Sequence, residues 1–394
     1  MQEHLTPQNL LSSSRRVRAI SPSATKQMAI IAARVGGCVS LGQGVPSFIT
    51  PPHIIEAVTH ALKNDVGSGQ YSLQTGMTAL RQCIARRFLE EKKVSVDPES
   101  EICVTVGGME ALLATVMTVV DEGNQVILPS PTYASYTEQV VLAGGTPVYV
   151  PLTDKWELGL KAITEAITPR TKALMLCNPG NPTGTVFSDE QVLAICELAV
   201  AHGFVVIIDE AYDYMVYGGG MPVNPLSVER FRDNVISISS LSKKYALTGW
   251  RVGWVIAAAR WMEQIMKVHD AATICAPTPS QIAALAAMEG DQQCVRDMCI
   301  ELTKRRALCC KRLDRLSDYF SYVPPRGAFY VMSKYRFTDD NSKEVAIRLL
   351  EEAKVITIPG GAFGLGGEGH LRLSFGGEEK VIDEAFDRIE RWLR

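Results

Sequence analysis

The longest apolar stretch in this sequence, residues 252–259, is less than half of the roughly 18 residues a membrane helix needs. No apolar core backs Arg15, Arg16 and Arg18, which follow a polar serine run, so neither a secretory leader nor a membrane anchor is expected. Ten cysteines are scattered without a pairing rhythm and without a C-x-x-C, which excludes a disulfide framework and predicts reduced thiols in the cytoplasm. The six histidines never fall at metal-ligand spacing, alone or with cysteine, so no metal site is expected. An excess of basic charge is also missing: 40 Lys and Arg face 43 Asp and Glu, for a net −3. That balance gives neither nucleic acid nor an anionic membrane a reason to bind. Fixed-period repeats, sustained heptads and low-complexity tracts are absent, which excludes a solenoid or coiled-coil scaffold.

What is present is a globular composition of 46% hydrophobic and 21% charged residues over 394 positions, too long for a single core and long enough for two or three domains. Short apolar runs at 102–106, 125–128, 173–177, 204–208 and 235–238 read as strands, and periodic stretches between them read as helices. Several of these strands end in unusual chemistry. After 102–106 comes Gly107-Gly108-Met109, where two glycines expose backbone N–H groups at a helix N-terminus, a setting that suits a phosphate. After 125–128 comes Pro129-Ser130-Pro131-Thr132-Tyr133, a stiffened turn that fixes an aromatic ring. After 173–177 comes Asn178-Pro179-Gly180-Asn181-Pro182-Thr183-Gly184, which can be neither helix nor strand. The run 204–208 is apolar throughout, as in a central parallel strand buried on both faces, and delivers Asp209, a carboxylate that needs a cation there. Tyr212 follows it. The strand 235–238 leads into Ser239-Ser240-Leu241-Ser242-Lys243-Lys244, in which a sheltered lysine amine can condense with an aldehyde. Arg251 lies eight residues beyond that lysine, after the turn glycine Gly249.

The segment Ser240-Leu241-Ser242-Lys243 with Tyr245-Ala246-Leu247-Thr248-Gly249-Trp250-Arg251-Val252-Gly253 resembles the cofactor-lysine signature of class I/II aminotransferases, the aspartate-aminotransferase branch of fold type I pyridoxal-phosphate enzymes. Asn178 to Gly184, Leu41-Gly42-Gln43-Gly44-Val45-Pro46, Tyr71 with Gly76 and Leu80-Arg81, and Gly327-Ala328-Phe329-Tyr330 are similar to further segments of that family. The resemblance implies pyridoxal 5′-phosphate as cofactor, joined to Lys243 as a Schiff base. Its phosphate would be held by Gly107, Gly108, Met109, Ser240 and Arg251, and by Tyr71 of a neighbouring subunit in a homodimer. Tyr133 would stack on the ring, Asn181 and Tyr212 would meet its phenolic oxygen, and Asp209 would pair with its pyridinium nitrogen. Gly44 and Arg372 would take the α-carboxylate of the substrate, with Tyr133 and Asn181 beside it; Arg372 suits that task because a planar guanidinium binds a carboxylate through two bonds. Catalysis would rest on Lys243, Asp209 and Tyr212.

The implied fold is α/β: a three-layer α/β/α large domain with a mostly parallel sheet over 45–290, and a smaller α/β domain built from 1–44 and 291–394. The implied activity moves the amino group of an L-amino acid to a 2-oxo acid such as 2-oxoglutarate, by ping-pong kinetics. Other reactions of the same cofactor, namely β-elimination, cyclisation, racemisation or decarboxylation, use the same residues and stay open, as does a non-catalytic regulator. Three minor expectations concern charged residues. Glu210 reads as a solvated charge, Lys244 as an amine that lowers the pKa of Lys243 or is solvated, and the run Arg305, Arg306, Lys311, Arg312 and Arg315 as a solvated helix face. Gly364 to Gly369 matches G-x-G-x-x-G but leads into a strand, so it is no dinucleotide fingerprint, and His370 reads as a surface or turn residue.

Overall fold

The computed structural model describes residues 12–394, so the first eleven positions of the expected N-terminal segment lie outside the described residues. A two-residue strand, β1 (Val39–Ser40), comes first. Seven strands then build one sheet: β2 (Ile102–Thr105), β3 (Gln125–Ser130), β4 (Thr146–Pro151), β5 (Thr171–Cys177), β6 (Val205–Asp209), β7 (Val235–Ser240) and β8 (Gly253–Ala257). The strands β9 (Phe320–Tyr322), β10 (Tyr330–Tyr335), β12 (Ile358–Pro359) and β13 (His370–Ser374) form a second sheet, while β11 (Val355–Ile356) pairs in parallel with β1.

Direction in the large sheet decides where chemistry can gather. Its order is β2-β8-β7-β6-β5-β3-β4, and only β8 runs against its neighbours. The C-terminal ends of β2, β3, β5, β6 and β7 therefore share one edge with the start of β8. Ligands in open α/β sheets bind at that edge, because the loops that leave it are free to vary while the strands hold their positions. The central strands are buried on both faces: β6 is buried over its full length, and so is β8.

The last helix, Glu379–Leu393, packs against the short pair of strands β1 and β11. Ile382, Ala385, Phe386 and Ile389 recur at i, i+3, i+4 and i+7 and are all buried. The long helix Gln293–Arg315 packs beside it, and here the solvated-face expectation holds for the exposed Lys311 and Arg315 but fails for Arg305 and Arg312. Arg312 is buried and bonds Asp383, Asp387 and Glu390 on the last helix, while Arg305 is buried against the Gly376 carbonyl and Ser47. A guanidinium with several acceptors keeps its charge satisfied inside, so charge alone does not mark a solvent face. His370 is also half-buried, at the start of β13 with its ring edge-on to Trp156, rather than in a surface turn. Replacing Phe386 by Ala removes a fully buried ring and is expected to destabilise the fold by about 3–5 kcal/mol in chemical unfolding, whereas a loss under about 1 kcal/mol would mean that this helix carries little of the packing.

Candidate active site

The turn after β7 is a four-residue helix, Leu241–Lys244, opened by Ser240, whose Oγ accepts from the Ser242 N–H at 3.2 Å. Lys243 leaves that turn towards a cavity of about 360 Å³, and its Nζ donates to the Gly44 carbonyl at 2.5 Å. Burial, with the charges of Arg372 and Arg251 next in importance, lowers its pKa from the ordinary lysine value to about 8. About a tenth of the amine is therefore free at pH ~7, far more than for an ordinary lysine. The neighbouring Lys244 does not cause this shift. It points away and ion-pairs with Glu91 at 3.2 Å, so both readings made for it are corrected.

The other groups arrive from the same sheet edge. Gly107 has φ +76°, and a Cβ there would lie 2.7 Å from Arg251 Nη2, so a side chain is excluded both by conformation and by space. Gly253 is excluded by space alone: its Cβ would sit 2.5 Å from the Ser239 carbonyl oxygen and 2.9 Å from the Gly108 nitrogen. These close approaches bring the turn after β2, the end of β7 and the start of β8 together. Arg251 itself holds the left-handed conformation, φ 54°, and folds back to donate to the Thr248 carbonyl at 3.0 Å. The N-terminus of the thirteen-residue helix Gly107–Val119, Ser240 and Arg251 thus converge on one concave surface of matching positive character.

Asp209 ends β6 in register with Ile238 and Cys177. It is buried and accepts from Tyr136 Oη at 2.9 Å and the Ala211 N–H at 3.0 Å, but forms no ion pair among the described residues. Burial raises its pKa to about 6; the Ala211 and Tyr136 bonds pull the other way, and the charge of Glu210 adds to the rise. Arg372, on β13, has the complementary deficit. Only 3% exposed, it donates to Asn181 Oδ1 at 3.1 Å and to the Gly42 carbonyl at 2.6 Å, and among the described residues it has no acidic partner and its Nε has no acceptor. Tyr330 and Phe363 lie against its guanidinium at 4.7 and 5.0 Å. A buried carboxylate awaiting a cation and a buried guanidinium awaiting an anion thus line one cavity with a nucleophilic amine.

Of the residues expected from the sequence, Gly44, Gly108, Met109, Tyr133, Asn181, Asp209, Tyr212, Ser240, Lys243, Arg251 and Arg372 line this cavity, and Gly107 backs it through Arg251. Tyr71 does not join them; its side chain stands 79% exposed. The two asparagines of the 178–184 loop divide their work, since Asn178 Oδ1 accepts from the Phe187 N–H and braces the loop, whereas Asn181 faces the cavity. Glu210 is a correction: it is buried and ion-paired with Lys92 at 2.7 Å. Sequence reasoning missed Tyr136, Tyr330, Phe363, Cys177 and Lys26. Tyr330 sits in the Gly-Ala-Phe-Tyr segment already singled out and shares a hydrogen bond with Tyr212 at 2.9 Å. Tyr136, one helical turn after Tyr133, carried no other signal.

A family model described as aminotransferase class I and II matches residues 36–389. This chain belongs to that family. Its members use pyridoxal 5′-phosphate. The chain is 35% identical over 97% of its length to aromatic-amino-acid aminotransferase 2 of Thermococcus litoralis, covering 98% of that protein. It is likewise 35% identical to the aspartate aminotransferase of Pyrococcus abyssi, over 98% of this chain and 99% of that one. A solved structure of a single mutant of Thermus thermophilus aspartate aminotransferase superposes with a TM-score of 0.90 at 35% identity, covering 96% of this chain and 99% of the other. The residues present fit the cofactor on their own evidence, since the unpaired Asp209, the glycine-lined cradle at Arg251 and the amine of Lys243 ask for a cationic ring nitrogen, an anion and an electrophilic carbon, respectively.

The lowered pKa of Lys243 sets a pH dependence. Below it the amine is protonated and inert, so if Lys243 is the amine to which pyridoxal phosphate attaches, capture by the apoprotein rises nearly tenfold per unit below pH ~7, more slowly towards pH ~8, and then levels off. Arg372→Gln removes a positive neighbour and moves the levelling point upward. Stopped-flow absorbance checks both, and a rise that continues unchanged to pH ~10 would contradict the assignment.

Proposed function

We propose that this protein is an aminotransferase that moves the amino group of an L-amino acid to a 2-oxo acid such as 2-oxoglutarate, with Lys243 as the amine that holds pyridoxal phosphate. The observation that carries the reading is the meeting, in one cavity, of Lys243, Asp209 without a cation and Arg372 without an anion. When bound, the cofactor supplies an aldehyde for reversible attachment of amines and a pyridinium ring that takes up the electron pair released at the substrate's Cα.

The chain's own residues supply binding and proton handling. The Gly107, Gly108 and Met109 backbone at the helix N-terminus, Ser240 and Arg251 hold the phosphate. Asp209 keeps the ring nitrogen protonated, and Tyr136 orients that carboxylate. Asn181 and Tyr212 donate to the phenolic oxygen, and Tyr133 covers the ring. Arg372 binds the substrate's α-carboxylate, with the Gly44 backbone beside it, and so fixes Cα relative to Lys243. Lys243 Nζ, as a free amine beside Cα, would accept the proton that leaves Cα and hold it for return. A product must leave before the second substrate enters, which makes the kinetics ping-pong.

A homodimer completes the reading. Ile49, Val66, Tyr71 and Leu73 expose large apolar side chains within one stretch of sequence, a surface suited to a second copy, from which Tyr71 reaches the neighbouring phosphate. A large domain over 45–290 and a smaller one from 1–44 and 291–394 accord with the two main sheets, which draw on residues 102–257 and 320–374. No described helix is long and apolar enough to cross a membrane, and all ten cysteines are unpaired, which suits a reducing compartment.

The test is spectroscopic. An L-amino acid added alone converts the bound cofactor to its amine form, and 2-oxoglutarate added afterwards restores the starting spectrum. Release of pyruvate or carbon dioxide without that conversion would favour elimination or decarboxylation instead. Arg372→Leu is expected to lower kcat/KM for amino acids by about two to three orders of magnitude, while the cofactor spectrum persists.

A further inference from the structure

Behind the wall that carries Lys243 lies a second group of buried charges that the proposed chemistry does not use. Lys92, the last residue of the helix Thr78–Lys92, is 3% exposed and reaches Glu210 at 2.7 Å and Asp213 at 2.8 Å. Glu210 Oε2 also accepts from Ser237 Oγ at 2.6 Å and Asn224 Nδ2 at 2.7 Å. Lys244 and Glu91 complete the group, and all line an internal cavity of about 30 Å³, room for a water. Nothing in the packing of the fold demands these charges. A buried ion group costs desolvation that an apolar cluster of equal volume avoids, so it is weak evidence for stability.

Its position suggests another use. Glu210 follows Asp209 directly, and Lys244 follows Lys243, so the group holds the two chain segments that bear the reacting side chains. We infer that Lys92 is a positioning residue that neutralises Glu210, and so keeps the neighbouring Asp209 ionised at the pH where it must hold a protonated ring nitrogen. This rests on the proposed role of Asp209. The groups that face the pair from each packed element are few. Asp209 meets Tyr136 from the helix Ala134–Leu142, Tyr133 just before that helix and Cys177 at the end of β5, and shares its cavity with Lys243; Glu210 meets Lys92; Asp213 meets Lys92 and Lys244. The charge of Glu210 raises the pKa of Asp209, as the smallest of the named causes, and Lys92 sets a positive charge 2.7 Å from that carboxylate, so removing Lys92 takes away the offset and raises the pKa of Asp209.

The sign follows. Asp209 binds the ring nitrogen only when ionised, so cofactor affinity falls as pH drops through the pKa of Asp209, near 6. In Lys92→Met that acid limb moves up by about one pH unit. In Glu210→Gln, which removes the neighbouring anion and leaves Lys92 paired with Asp213, it moves down. In the double variant K92M/E210Q it returns towards the wild-type position. The measurement is the dissociation constant of pyridoxal phosphate, by absorbance titration of the apoprotein between about pH 5 and 8. A merely structural role weakens binding equally at every pH and moves no limb. Opposite shifts in the two single variants support the inference, and should Lys92→Met fail to fold, the downward shift in Glu210→Gln supports it alone. Limbs that stay in place, or move the same way, overturn it. A wild-type protein that binds no pyridoxal phosphate overturns both this inference and the reading of the site.

Discussion

One constraint governs this structure: two buried side chains of opposite charge, Asp209 from the large sheet and Arg372 from the small one, face a single cavity with the part-buried Lys243 and do not pair with each other. Among the described residues Asp209 has hydrogen bonds but no cation, Arg372 has carbonyl and amide acceptors but no anion, and Lys243 is desolvated beside two arginines. Each costs free energy in the protein alone, and each loses that cost when a ligand with a cationic nitrogen, a carboxylate and an electrophilic carbon enters. Strain of this kind persists only where the surrounding fold imposes it. The imposing framework is the direction of the strands, because one reversed strand, β8, brings Arg251 back to the edge where the parallel strands end.

The steric record tells the same story from the backbone. Gly107 and Gly253 stand where any side chain would collide with Arg251, with Ser239 or with the Gly107–Gly108 turn. Three separate chain segments are therefore pressed together at the Arg251 side of the cavity, at distances that a single methyl group would force apart. Proximity is paid for in advance by packing, so that a ligand meets a preformed cradle rather than ordering one.

Much of this was legible in the sequence, for a physical reason. Strands buried on both faces must be continuously apolar, and loops that bind ligands depart from regular patterns, so 204–208 with Asp209 and the Asn178–Gly184 loop both stood out. Lys243, Arg251, Asn181 and Arg372 were reached through motif resemblance and meet in one cavity. What escaped the sequence was pairing. Glu210 looked like a solvated charge, yet its partner Lys92 lies more than a hundred positions earlier. Arg305 and Arg312 read as a solvent face because their acceptors lie far along the chain. Tyr136 was invisible because an aromatic residue in a helix has no signature that separates packing from orienting a carboxylate. Periodicity reports which face is apolar, not which charge finds which.

The account rests on Lys243 as the amine that holds the cofactor. Borohydride reduction of the protein loaded with pyridoxal phosphate, followed by peptide mass mapping, tests this directly. The account predicts one phosphopyridoxyl group per chain, on Lys243. A label on Lys244, Lys26 or elsewhere, or no label on a protein that retains its fold, would contradict it.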